Sequence, residues 1–126
     1  MAVVSAQMTL QYFLRAPRFP VLIDLGDHLA GAVSRAQCAK VLAREQLLDT
    51  QAQWDVIDST AENFFYYPKM SAISVLAVKK RWTKRSVIDL YNTRRPADKP
   101  AYEPRSIGNK RFEDIVAEIV ERLNER

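Results

Sequence analysis

With 126 residues, 48% of them apolar and 27% charged, the chain has the composition of one globular domain spanning residues 1–126, which excludes a disordered or fibrous segment. A single cysteine, Cys38, excludes an intramolecular disulfide, and a single histidine, His28, excludes the common zinc sites built from cysteine and histidine. The net charge of +4 hides a segregation: residues 79–111 carry 11 basic and 3 acidic groups, whereas residues 1–78 carry 6 and 7 and residues 112–126 carry 2 and 5. A basic segment of that density creates a local field that attracts polyanions. No run approaches the roughly 18 apolar residues that span a bilayer. The uncharged stretch 2–14 lacks the preceding basic segment of a secretory signal, so a reducing, cytoplasmic setting without a membrane partner is expected.

In chain order, Ser5 is placed to cap a short helix through Leu14, which Pro17 and Pro20 prevent from continuing. Val21 to Leu25 is a buried strand or an extended connection. Ser34 with Gln37 forms a capping box, and Cys38, Val41, Leu42 and Leu48 follow at helical spacing, predicting a helix over 34–48. Ser59 and Glu62 form a second capping box and predict a short helix carrying Phe64, Phe65, Tyr66 and Tyr67 up to Pro68. Four adjacent aromatics cannot all face one core. They either pack partly inward with the rest covering a neighbour, or leave a stacking platform or dimer contact. Pro96, Pro100, Pro104 and Gly108 make residues 93–109 a loop or a hairpin of extended arms. Phe112, Ile115, Val116, Ile119, Val120 and Leu123 follow the i, i+3, i+4 rule and predict a terminal amphipathic helix.

Residues 73–92 read ISVLAVKKRWTKRSVIDLYN, and this window resembles the helix-turn-helix motif. Leu76, Ala77, Trp82, Val87 and Leu90 stand at its core places, and Thr83 caps the second helix. Lys80 and Arg81 depart from the pattern, standing where the motif carries an apolar residue and a glycine. With the proline-rich stretch as a wing and a closing helix, the order of elements is similar to excisionase-like winged-helix domains. The resemblance implies a mainly α fold with a small hairpin and duplex DNA as partner. Lys84, Arg85 and Ser86 would then meet base edges and phosphates at the start of the second helix, with Lys79, Lys80, Arg81, Arg94, Arg95, Arg105 and Lys110 on the backbone beside it. A homodimer would pair two half-sites. The competing reading of residues 70–78 is a strand, from the alternation of Ile73, Val75 and Val78, paired with residues 54–58.

A second class of function explains the same charge: a small adaptor or inhibitor whose basic surface clasps an acidic protein, anchored by the aromatic block. A third is a metal-dependent nuclease, in which Asp55, Asp58 and Glu62 would align on one helix face with Lys79 as electrostatic partner. Asp24, Asp27 and His28 cluster near Gly26, where Asp27 suits a helix N-cap better than a metal. His28 and Cys38 on one helix would stand about 15 Å apart, too far for a nucleophile and its base. Phosphate-cradling glycine motifs are absent, so no catalytic residue, cofactor or metal is assigned.

Overall fold

Four short runs of β-branched, aromatic and small residues, at 21–24, 29–32, 54–57 and 63–67, are each too brief for a helix to be anchored in a core, and pairing with one another satisfies their backbones. The computed structural model describes residues 10–45, 53–103 and 108–124. Its elements are β1 (Gln11–Phe13), β2 (Val21–Asp24), β3 (Leu29–Ala32), α1 (Arg35–Glu45), β4 (Trp54–Ile57), β5 (Asn63–Tyr67), β6 (Ala72–Val75), α2 (Lys84–Arg94) and α3 (Phe112–Asn124), with a 3-10 turn at Pro68–Met70. The strands form one sheet in the order β1-β6-β5-β4-β2-β3. β1 runs parallel to β6, and every other neighbouring pair is antiparallel.

Two cores flank the sheet. On one face α1 brings Cys38, Val41 and Leu42 onto Val21, Ile23, Trp54, Val56, Phe64, Tyr66 and Ile73. On the other, α2 and α3 bring Val87, Ile88, Tyr91, Ile115, Val116, Ile119 and Val120 onto Leu22, Leu29 and Ile57, with Tyr102 from the connecting segment. Gly31 lets α3 approach: a Cβ there would lie 3.0 Å from both Val120 methyl groups.

The mainly α expectation is therefore overturned, because a six-stranded sheet forms the centre of the molecule. The helix expected from Ser5 to Leu14 falls partly outside the described residues, and where it is described, Gln11–Phe13 is strand. Residues 59–62 turn between β4 and β5 and cap no helix. Pairing with both neighbours holds Asn63–Tyr67 extended, and the alternation of a strand then disposes the four aromatics on two faces. The helix-turn-helix does not form, since Ala72–Val75 is strand and only the second helix, capped by Thr83, exists. The strand reading of 70–78 holds in part, but β6 pairs with β5 and β1, and β4 lies one strand farther away. Among the described residues of 95–111 no strand forms, so no hairpin wing is present there. The helices at Arg35–Glu45 and Phe112–Asn124 are as expected. Gln37 N–H reaches the Ser34 hydroxyl at 3.2 Å, and residues 46–48 lie outside the described range.

Candidate nucleic-acid interface

The turn joining β4 to β5 organises one end of the sheet. Asp58, 1% exposed, closes it: Oδ1 accepts from the Thr60 N–H at 2.9 Å, the Thr60 hydroxyl at 2.6 Å and the Glu62 N–H at 3.1 Å. Its Oδ2 accepts from the Arg18 N–H at 3.0 Å, which ties in the segment between β1 and β2. Ala61, held at φ 75°, offers its carbonyl to the Trp82 N–H at 2.7 Å, and the Lys80 carbonyl accepts from the Asn63 N–H at 2.9 Å. These bonds fix residues 80–82 against the turn.

Cations from two segments far apart in sequence meet there. The Arg15 guanidinium lies 2.6 Å from Glu62 Oε2, and Lys79 Nζ lies 4.0 Å from Oε1. Arg81 pairs through its backbone with Glu62. Lys80 Nζ stands 5.1 Å from the centre of the Trp82 ring. The hydrogen bond from Arg15 holds the Glu62 carboxyl below the usual carboxylate range against the opposing effect of burial, with Lys79 and Arg81 adding to the lowering. Thr83 and Ser86 form a reciprocal cap, with Ser86 N–H donating to the Thr83 hydroxyl at 3.0 Å and Thr83 N–H to the Ser86 hydroxyl at 2.9 Å. Lys84 and Arg85 open α2 at the same end.

Of the residues expected to bind nucleic acid, Lys79, Lys80, Arg81, Lys84, Arg85 and Ser86 thus share one end. Ser86 is engaged in the helix cap. Arg94 and Arg95 stand at the far end of α2, about 16 Å along its axis. There Arg94 donates to Asp24 at 3.0 Å, and Arg95 donates to the Lys99 carbonyl at 2.6 Å. Lys110 donates to Glu118 at 2.9 Å and to the Tyr102 hydroxyl at 3.2 Å. Arg105 lies outside the described residues. Arg15 and Arg18 were missed, because in sequence they stand apart from the basic segment and only the sheet brings them to it.

The other candidate chemistry is dispersed. Asp55 is on a strand, Asp58 faces four donors and Glu62 is paired with Arg15, so the three carboxylates expected on one helix face do not converge. Among the described residues no group of three His, Cys, Asp or Glu side chains is placed to hold a metal. Asp27 caps no helix; its carboxylate lies 2.6 Å from His28 Nδ1 in the β2–β3 turn. Burial pushes the Cys38 thiol up to about 12, which leaves it protonated and unreactive. Among the described residues no helix is long and apolar enough to cross a membrane. No protein-family model, curated protein or solved structure matches the chain.

Proposed function

We propose that the chain is a nucleic-acid-binding module that contacts the phosphate backbone through this cationic end of the sheet. The observation that carries the reading is convergence. Arg15 and Arg18 from one segment, and Lys79 to Arg81 with Lys84 and Arg85 from another, come to one turn, where Glu62 pairs with Arg15 and Lys79. A field concentrated in this way steers a polyanion and releases its counterions on binding. Without a two-helix unit to enter the major groove, the contacts this geometry supports are with phosphates and so are largely independent of base sequence.

The test is binding of labelled DNA and RNA across a range of salt. Affinity should fall steeply and linearly on a log–log plot, and Lys79→Glu with Arg81→Glu and Arg85→Glu should abolish it. The matching reversals at Arg94 and Arg95 should have little effect on binding. Binding indifferent to salt, or lost equally with either set, rejects the reading.

One observation favours an acidic protein as partner instead. Leu14 and Val78, 89% and 81% exposed, follow adjacent parallel strands among these cations, and would suit apolar pockets on an acidic surface. Leu14→Ser with Val78→Ser separates the two readings, since phosphate binding survives it and docking to an acidic protein does not.

A further inference from the structure

Helices α2 and α3 cover only part of the sheet face on which they pack. Their core takes Leu22, Leu29 and Ile57 from β2, β3 and the end of β4. Farther across that face, the register sets Asp55 of β4 beside Phe65 of β5, Phe65 beside Ser74 of β6, and Ser74 beside Phe13 of β1. Strand side chains alternate between faces, so Tyr67 and Gln11 share this side while Trp54, Tyr66, Ile73 and Tyr12 line the side of α1. The large side chains differ in burial between the two sides, although the small Ala72 and the hydrogen-bonded Asn63 on the open side are buried. Phe64, Tyr66 and Ile73 are fully buried, whereas Phe65, Tyr67 and Ser74 are half-buried and Gln11 and Phe13 exposed. Neither core includes Phe13, Phe65 or Tyr67.

An open face of an antiparallel sheet ordinarily carries polar side chains. Here it carries rings. Phe65 and Tyr67 meet edge to face at 6.1 Å, and the small Ser74 separates Phe65 from Phe13 by two strand spacings, about 10 Å. The chain leaving β6 carries Lys79 and Lys80, and Lys80 Nζ stands 5.1 Å from the Trp82 ring, whose indole N–H donates to Asn63 on this side, so a cation borders the face at one end. The Arg15 guanidinium turns to the other side, 5.4 Å from the centre of the Phe64 ring.

We infer that this face takes single-stranded nucleic acid, with bases stacked on Phe65 and Phe13 and the phosphates led toward Lys80 at its edge. The inference rests on the nucleic-acid reading above and narrows its ligand, because a ring stacks on a base only where the base is unpaired and splayed from its neighbours. Asp55 and, beside it on β2, Asp24 lie on this face beyond β5, so the phosphodiester chain runs on the β6–β1 side of Phe65, away from those carboxylates.

The test uses fluorescence anisotropy of the full chain with labelled oligo-uridine, oligo-thymidine and a matched duplex, each about 16 nucleotides long. Single strands should bind more tightly than the duplex. Phe13→Ala and Phe65→Ala should each weaken single-strand binding about tenfold, with the melting temperature little changed, and Phe65→Trp should preserve binding. Duplex preference, or full single-strand affinity in both alanine variants, overturns this inference and leaves the phosphate-binding reading in place. A wild-type chain that binds no nucleic acid at low salt overturns both. A dimer seen by light scattering and lost in the alanine variants, with single-strand affinity unchanged, assigns the face to a second copy and overturns it as well.

Discussion

Trp82 donates its indole N–H to the Asn63 carboxamide oxygen at 2.9 Å, and through that bond the segment leading into α2 is held to the first residue of β5. Asn63 is fully buried and in turn donates to Asp55 at 3.3 Å and to the Phe64 carbonyl at 3.1 Å. One side chain therefore joins two strands and the segment that presents Lys79, Lys80 and Arg81.

Replacing Asn63 with leucine leaves the Trp82 N–H without its partner in a partly buried setting. We expect a loss of about 1–3 kcal/mol in stability, measured by urea unfolding. Trp82 emission should shift to longer wavelength in the native state as the ring loosens. An unchanged unfolding midpoint with unchanged emission would show that the bond does not restrain the segment.

Asp58 offers a graded test of the turn. Asp58→Asn keeps one acceptor oxygen for the Thr60 and Glu62 donors but sets an amide against the Arg18 N–H, for a loss of about 1–3 kcal/mol. Asp58→Ala abandons all four donors and should be the more destabilising. Hydrogen exchange at the Arg18 amide should accelerate in both variants, and equal protection in wild type and Asp58→Asn would contradict the assignment.

Gly31→Ala probes the contact between β3 and α3. The added methyl would lie 3.0 Å from both Val120 methyls and 3.1 Å from the Val120 Cα, so helix or strand must shift. A destabilisation of about 1–3 kcal/mol is expected, relieved when combined with Val120→Ala. The non-additivity of the two substitutions in a double-mutant cycle is the measurement that decides.

His28 makes stability depend on pH. Its Nδ1 lies 2.6 Å from Asp27 and its Nε2 3.1 Å from Glu45, which also has Arg44 at 3.3 Å. Burial pulls the imidazole pKa down, but hydrogen bonds and charge from Asp27 and Glu45 more than offset it, leaving it above its ordinary value. A neutral imidazole has one N–H and can donate to only one of the two carboxylates. Because the folded pKa is the higher one, this stabilisation is complete below the unfolded value, about 6.5, and is lost as pH rises through the folded value. The unfolding midpoint should therefore decline across that window in wild type and stay flatter in His28→Gln. Equal slopes would sink the assignment.

How far the chain could be read varied from element to element. α3 was legible because its six apolar positions recur with the helical period over 12 residues, and α1 because Ser34 and Gln37 mark its start. Thr83 as the cap of α2 came with the resemblance of residues 73–92 to a helix-turn-helix, and it holds although that motif does not form. The block 59–67 misled because Ser59 and Glu62 have the spacing of a capping box, whereas the backbone there is closed by Asp58 and the Glu62 side chain is drawn to Arg15. Residues 73–80 fit both periods, and a run that short does not reveal β1 and β5 as the neighbours that hold it extended.

The sequence by itself determined the two amphipathic helices and the concentration of positive charge between Lys79 and Arg111. These follow from local spacing and composition alone. Only the tertiary structure decided which of those charges lie near one another. Pairing β1 with β6 and β4 with β5 carries Arg15 and Arg18 to Lys79, Arg81 and Arg85, while Arg94 and Lys110 turn inward to Asp24 and Glu118. The physical reason is that electrostatic attraction acts through space, and neighbours in space across a sheet are set by strand pairings between residues that lie far apart in the chain.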